Sequence, residues 1–311
     1  MIRQESKSVV TKDKALLFLH IPKAAGTTLR NIVERQFSPH VTFNIPGTRA
    51  GLAIQQFQNL PEQERRHIRL VEGHMPYGLH QYLSVPATYI TMLRDPVDRV
   101  ISHYYFVLGL PHHHLHHEVT SQHMSLADYV QKRVTMEVFN DQTLLISGAE
   151  RAESRPSSDH ASGDSGTYQE YATEETLRIA KRNLAEHFSV VGLSERFDES
   201  LLLFKREFGW RNIYYVKHNV TRERPLKEEV PPEERALIER HNELDIELYR
   251  YARERFERAI REQGASFSRE LESFRRANRL YARAWGGYNL TRRLVPAKLK
   301  TVIKNFYASQ A

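Results

Sequence analysis

Leu16–Leu29 reads LLFLHIPKAAGTTL, an apolar run followed by a short basic turn and the start of a helix. A short, continuously apolar run is typical of a central parallel strand covered on both faces of a sheet. The turn after it consists of Pro22, Lys23, Ala24, Ala25, Gly26, Thr27 and Thr28. The sequence therefore predicts a strand, a tight turn and a helix, in that order.

The residues of this turn are suited to bind an anion. Backbone N–H groups at a helix N-terminus, together with the helix dipole, attract negative charge. We expect Gly26 to let the backbone approach a ligand closely, because glycine has no Cβ. Thr27 and Thr28 add hydroxyl donors and Lys23 adds a mobile positive charge. The expected ligand is a phosphate.

Composition limits the classes of protein that the chain can represent. Its 311 residues suit one large α/β domain. The absence of cysteine excludes disulfides, thiolate metal sites and cysteine nucleophiles. No apolar run approaches the roughly 18 residues of a spanning helix, and the N-terminus lacks a signal-peptide core, so we expect a soluble, cytoplasmic protein.

The formal charge of +7 is concentrated at the C-terminus. Residues 264–311 hold ten Lys or Arg and two Glu, a charge of +8, which leaves −1 for residues 1–263. Six residues at spacings of four and three, all apolar or aromatic except Asn278, also predict an amphipathic helix there: Phe267, Leu271, Phe274, Asn278, Tyr281 and Trp285. We therefore predict an α/β domain over 1–263 and a basic helical extension over 264–311.

A second strand–turn–helix unit follows the first along the chain. Ala87–Leu93 is the clearest strand, and Asp95 and Pro96 are a good N-cap and a good first helical residue. Two such units predict a right-handed βαβ arrangement with a ligand across the carboxyl ends of the strands. The expected architecture is a three-layer, P-loop-like α/β fold with a central, mainly parallel sheet flanked by helices.

The remaining elements are predicted from hydrophobic periodicity and turn residues. Further strands are expected at 67–72, 190–193 and 213–216, and helices at 27–37, 174–188, 197–208 and from Pro231 onward as one long helix. Residues 39–51 read as a loop. Residues 150–170 are rich in Ser, Gly, Asp and Arg and read as a mobile surface insertion.

Four motifs, in order, resemble one enzyme family. They are the Lys23–Thr28 loop, the pair Gly73-His74 followed by an aromatic residue, the segment Arg94–Phe106 (RDPVDRVISHYYF), and the segments 140–143 and 191–200 together. Lys23 precedes Gly26, unlike the lysine of nucleotide triphosphatase P-loops, which follows the last glycine. The order instead resembles sulfotransferases that use 3′-phosphoadenosine 5′-phosphosulfate (PAPS), in particular the branch containing heparan sulfate 2-O-sulfotransferase.

The resemblance implies a role for each motif. PAPS would donate the sulfuryl group and leave as adenosine 3′,5′-bisphosphate (PAP), with no metal required. The loop from Lys23 to Thr28 would hold the 5′-phosphosulfate, Arg94 and Ser102 the 3′-phosphate, and His74 would be the catalytic base. Independently, a donor with two separated phosphate-type groups requires two anion sites, and the sequence provides both. The acceptor would be a hydroxyl of a carbohydrate or glycoside, and no nucleic acid is expected as a partner.

Several alternatives remain open at this stage. Glu72 competes with His74 as the base, and Arg94 could instead form an ion pair with Asp95 or Asp98. Arg99 is assigned to a structural ion pair. Five histidines between positions 112 and 117 could bind a metal or form a loop at the acceptor cleft.

Two other functions compete with sulfuryl transfer. One is a P-loop-type nucleotide kinase or hydrolase. The other is a non-enzymatic protein that binds a polyanion or a membrane through the basic extension, which could also mediate peripheral membrane or homo-oligomer contacts.

Overall fold

The computed structural model describes residues 14–149, 172–217 and 224–294, with side chains described to residue 285. The strands are β1 (Ala15–Leu19), β2 (Thr42–Ile45), β3 (Leu70–Gly73), β4 (Ala87–Leu93) and β5 (Phe188–Leu193). They form one sheet in the order β2-β3-β1-β4-β5, and every pairing is parallel. This confirms the predicted α/β fold with a central parallel sheet.

Helices connect and flank these strands, as parallel pairing requires. Those before β4 are α1 (Gly26–Val33), α2 (Ala50–Gln58) and α3 (Glu62–Arg65). Those between β4 and β5 are α4 (Pro96–Gly109), α5 (His116–Ser121), α6 (Leu126–Gln131), α7 (Asp141–Ser147) and α8 (Glu174–Glu186). After β5 come α9 (Phe197–Phe208), α10 (Pro232–Arg240), α11 (Glu243–Glu262) and α12 (Ser266–Leu294).

Strand β1 lies at the centre of the sheet because its side chains are apolar on both faces. All five of its residues are buried, and Leu17 lies opposite Val71 of β3 and Tyr89 of β4. Since all strands are parallel, their carboxyl ends meet at one edge of the sheet. The predicted strand at 87–93 and the predicted helix at 197–208 have the observed bounds.

Two predictions are wrong, namely the loop at 39–51 and the strand at 213–216. Residues 39–51 do not form only a loop, because Thr42–Ile45 is the edge strand β2, which pairs with β3. Its outer position leaves only Ile45 buried, so it lacks the apolar run of a central strand. Residues 213–216 form no strand. There the N–H of Tyr215 donates to Oδ1 of Asn278 in α12, at 2.8 Å, rather than to a neighbouring strand.

The long helix predicted from Pro231 is divided into α10 and α11 at His241 and Asn242. Asn242 is fully buried, and its side-chain amide donates to the carbonyl groups of Val138 and Ile238 at 2.9 and 3.0 Å. A side chain that satisfies backbone carbonyls in this way competes with the continuous helix. The predicted insertion at 150–170 lies outside the described residues.

Arg99 has the structural role predicted for it. Its side chain is fully buried, and its guanidinium lies 3.5 Å from Asp141 and 3.6 Å from Asp245. Asp245 also accepts hydrogen bonds from Gln142 and Thr143 at the start of α7. These contacts join α4, α7 and α11.

Helix α12 packs on the domain through the predicted apolar stripe. Phe267, Leu271 and Phe274 are buried, and the rings of Tyr281 and Tyr214 stack at 5.8 Å. The division of the chain into 1–263 and 264–311 stays a prediction. Within the described part of the chain, no helix combines the length and apolarity needed to cross a bilayer.

Candidate active site

A cleft of about 1040 Å³ opens at the carboxyl edge of the sheet. Its walls include the residues that follow β1, β2, β3, β4 and β5. Most of the residues predicted for the site line this one cleft: Lys23, Ala25, Gly26, Thr27, Thr28, His74, Arg94 and Ser102. Ala24 does not, because its methyl group is buried and its N–H donates to the carbonyl of Ile21 at 3.4 Å.

The turn between β1 and α1 is tight because two of its residues adopt left-handed conformations. Lys23 has φ of 63° and Ala25 has φ of 60°, a region that non-glycine residues rarely adopt. Helix α1 then begins at Gly26, and its first hydrogen bond runs from Leu29 N–H to the Ala25 carbonyl at 3.3 Å. The positive end of the helix dipole therefore faces the cleft at Gly26–Thr28.

Lys23 lies among other cations. Its ammonium nitrogen is 3.7 Å from the centroid of the Phe106 ring. Burial, and then the positive charges of Arg94 and Arg224, lower the pKa of Lys23 to about 8, while Glu137 partly opposes this shift. Like charges held together in this way are relieved when an anion binds between them. The surroundings of Lys23 therefore favour an anionic ligand.

Arg94 is fixed by two sets of contacts. It donates from Nε and Nη2 to Oδ2 of Asp98, at 2.8 and 2.5 Å, and from Nη1 to the carbonyl of Lys23, at 2.8 Å. Arg224 donates to the same carboxylate at 2.6 Å. Burial alone would raise the pKa of Asp98, but its bonds to Arg224 and Arg94 hold that pKa below its usual value.

The ion pair with Asp98 that the sequence left as an alternative for Arg94 is thus present. It does not remove Arg94 from the cleft, which the arginine lines together with the buried Ser102. Ser102 lies four residues after Asp98, so the two share one face of α4.

His74 and Glu72, the two candidates for the base, lie in different places. His74 lines the cleft directly after β3, where its N–H donates to the Ile45 carbonyl at 3.0 Å. Glu72 is 1% exposed and accepts a hydrogen bond from Nε of Arg30 at 3.1 Å. Burial raises the pKa of Glu72 to about 7, although Arg30 opposes the shift. The geometry favours His74, because Glu72 is not among the residues that line the cleft.

His20 is a residue of the site that the sequence analysis missed. Its ring stacks on that of His74, with centroids 4.4 Å apart and planes 27° apart. Burial, followed by His74 and Arg30, lowers the pKa of His20 to about 3, so the ring is neutral. A histidine at the end of an otherwise apolar strand was the available signal.

The contact with His20 also explains Gly26. A Cβ at position 26 would lie 2.0 Å from Cδ2 of His20. The neighbouring imidazole therefore requires glycine at this position. The expectation that Gly26 also admits a ligand stays a prediction. Gly47 is similarly close to the His74 ring, since a Cβ at position 47 would lie 2.9 Å from Cδ2 of His74.

A second histidine of the cleft, His103, and its partner Glu137 were also missed. Nε2 of His103 lies 2.5 Å from Oε2 of Glu137, and Nδ1 lies 2.9 Å from the Tyr129 hydroxyl. His103 and Glu137 line the cleft on the side of α4, beside His112, His113 and His114. Burial, then His114 and His103, lowers the pKa of His113 to about 4.

The histidine run therefore contributes to the cleft wall through His112, His113 and His114. Its place at an acceptor cleft stays a prediction. For the metal interpretation the described residues offer no support, since they contain no group of three or more His, Asp or Glu side chains placed to hold a metal ion.

Comparison with known proteins agrees with this geometry. Residues 6–252 match the sulfotransferase family, so the chain belongs to that family. A protein of Drosophila melanogaster named heparin sulfate O-sulfotransferase is similar to this chain, with 23% identity over 271 residues. The similarity covers 78% of this chain and 72% of the fly protein. The family predicted from the four motifs is confirmed, and the fly protein supports the predicted branch.

We predict that Gly26→Ala destabilises the fold by about 1–3 kcal/mol, because the added methyl group overlaps the His20 ring in a closely packed region. Equilibrium denaturation measures the cost. Gly51→Ala is the matched control, since a Cβ at position 51 meets no atom within 4 Å.

The double variant His20→Ala/Gly26→Ala separates this contact from other effects. It should be less destabilised than the sum of the two single variants, because removing the ring makes room for the methyl group. Strict additivity of the two costs would contradict the proposed contact.

Proposed function

We propose that the protein transfers a sulfuryl group from PAPS to a hydroxyl of a carbohydrate or glycoside. The observation that carries this proposal is the convergence of Lys23, His74, Arg94 and Ser102 on one cleft in a member of the sulfotransferase family. The family match favours this reaction over the kinase or hydrolase alternative. The name of the similar fly protein supports a carbohydrate acceptor.

The chain offers two places for the anionic groups of the donor. In the proposal, the N–H groups and hydroxyls of Gly26–Thr28 hold the 5′-phosphosulfate at the start of α1. The Arg94 guanidinium and the Ser102 hydroxyl hold the 3′-phosphate, and Arg94 would exchange part of its contact with Asp98 for this ligand. The contact between Arg94 and the Lys23 carbonyl, at 2.8 Å, joins the two places.

Lys23 and His74 would carry the chemistry. By analogy with phosphoryl transfer, the acceptor oxygen attacks the sulfur in line with the departing bisphosphate. Lys23 would stabilise the charge that develops on the oxygen that leaves with the bisphosphate. His74 would take the proton of the acceptor hydroxyl, which is a poor nucleophile at neutral pH. Neutral His20 supports this role, because it leaves no fixed positive charge against the His74 ring.

We predict that His74→Ala lowers the rate of sulfuryl transfer by about 10²–10⁴-fold and that Lys23→Ala lowers it by about 10²–10³-fold. Both variants should stay folded and still bind PAP. The measurements are a sulfate-transfer assay in excess EDTA and calorimetry with PAP.

His40→Ala is the control for these variants, because this exposed histidine lies away from the cleft. Full activity of His74→Ala would refute the assignment of the base. An unaltered protein that transfers no sulfate but cleaves a nucleoside triphosphate only when Mg²⁺ is present would favour the kinase or hydrolase instead.

We also predict that Arg94→Ala weakens PAP binding far more than it weakens binding of adenosine 5′-phosphate. A guanidinium bound to a phosphate contributes charge-assisted hydrogen bonds that adenosine 5′-phosphate, without a 3′-phosphate, cannot form. Titration calorimetry with both nucleotides compares the two losses. Equal losses would show that Arg94 does not recognise the 3′-phosphate.

The pKa of Lys23 predicts a pH dependence. Because the pKa in the free protein is about 8, raising the pH through 8 removes the charge that the donor requires. We therefore expect kcat/KM for PAPS, which reports the free enzyme, to fall above that pH. Lys23→Arg keeps its charge and should lack this fall. The same fall in both proteins would assign it to another group.

A further inference from the structure

Helix α12 reaches the cleft although it lies beyond the part of the chain that matches the family. The match ends at residue 252, and α12 begins at Ser266. Arg275, in the middle of the described side chains of this helix, nevertheless lines the cleft. The basic extension therefore contributes to the wall of the site.

The position of α12 is fixed by contacts with α9. Phe267, Leu271 and Phe274 are buried against the domain. One turn before Arg275, Glu270 accepts hydrogen bonds from Lys205 at 2.6 Å and from Arg206 at 2.7 Å. Apolar burial and these two charged contacts hold the helix on the domain.

Two residues of α12 organise the adjacent wall. Nε of Arg275 lies 3.1 Å from Oδ2 of Asp198, and the Tyr215 hydroxyl donates to Oδ1 of the same carboxylate at 2.7 Å. Asn278 accepts the N–H of Tyr215 at 2.8 Å. The Tyr215 ring in turn contacts the Phe197 ring edge-on, with centroids 4.8 Å apart.

The place of this wall in the sheet indicates which part of a ligand it would contact. Asp198 follows β5, beside β4, whereas His74 follows β3 on the other side of β1. If the phosphosulfate lies over the β1 turn and the 3′-phosphate at Arg94 after β4, the nucleoside extends toward β5. The wall there presents aromatic rings, a guanidinium and a carboxylate.

We propose that helix α12 completes the donor site, with Arg275 as a further binding residue for the nucleoside of the donor and Asn278 as a positioning residue that acts through Tyr215. This inference rests on the proposed function. A guanidinium and aromatic rings stack on the flat face of a base. The Asp198 carboxylate has about four acceptor sites and accepts hydrogen bonds from Tyr215 and Arg275 in the described part of the chain. In the proposal it also accepts a hydrogen bond from the adenine amino group.

Calorimetry on the full-length protein tests the proposal. Arg275→Ala should weaken PAP binding by about tenfold, the scale of one stacked base. It should also reduce the preference for PAP over uridine 3′,5′-bisphosphate, which carries the same phosphates on a different base. In the transfer assay, Arg275→Ala and Asn278→Ala should raise KM for PAPS with little change in kcat.

Arg276→Ala is the matched control, because this neighbouring arginine is 75% exposed and contacts only Glu272 among the ion pairs described. Thermal melting of each variant separates lost binding from lost folding, and Arg275→Lys keeps the charge should the alanine variant unfold. The lysine variant should retain the contact with Asp198 but lose part of the base preference.

Each result decides the question. Weakened PAP binding in the Arg275 variants, with Arg276→Ala unchanged, supports the proposal. If the unaltered protein binds PAP and the Arg275 and Arg276 variants bind it as tightly as the unaltered protein does, the inference is overturned. The proposed function is then left intact. Unaltered protein that binds no PAP overturns the proposed function and this inference with it.

Discussion

The contact between Gly26 and the His20 ring is the constraint on which the rest of the site depends. The ring occupies the space that any larger residue at position 26 would need. It therefore brings the start of α1 against the end of β1. The same ring stacks on His74. The backbone N–H of His20 donates to the Gly73 carbonyl at 2.9 Å, which holds the end of β3 beside the end of β1. Three segments that are distant in sequence are thus held at one point by contacts that leave little room for adjustment, because protein interiors are packed to near-crystalline density.

The cations that line the cleft are partly balanced by a carboxylate. Burial, and then the charges of Arg94 and Arg224, lower the pKa of Lys23, and the Asp98 carboxylate binds both arginines. A partly buried carboxylate shared by two guanidiniums limits their mutual repulsion and keeps their side chains ordered. In the proposal, a ligand with several negative charges replaces only part of the Arg94–Asp98 contact, so the cations need little rearrangement. Such preorganisation is the main way in which protein electrostatics stabilise developing charge in a reaction.

The sequence predicted those parts of the fold whose signals are local. Strands β1 and β4 have apolar runs because their side chains are largely buried on both faces, and Lys23–Thr28 and Arg94 could be placed because they follow those strands. His74 and Ser102 were assigned from the resemblance of their motifs to the family. Strand β2 was missed because an edge strand needs little apolar character, and the break at Asn242 was missed because its cause is a contact with Val138, 104 residues away. Glu137 and Arg275 could not be assigned from the sequence for the same reason, since each gains its role from a partner, His103 or Asp198, brought near only by folding. His20 had a local signal, but its stacking on His74 also depends on folding.

The order of the strands gives the proposed reaction a direction. An in-line displacement requires the nucleophile and the leaving group on opposite sides of the transferred group. The turn after β1 lies in the middle of the carboxyl edge, with His74 and Pro46–Thr48 on the side of β3 and β2 and with Arg94 and Asp198 on the side of β4 and β5. An acceptor that enters beside His74 and a donor whose nucleoside extends toward β5 would therefore meet over Lys23 from opposite directions. A sheet that is parallel throughout makes this possible, because it places the residues after every strand on the same edge and lets their order along that edge separate the two substrates.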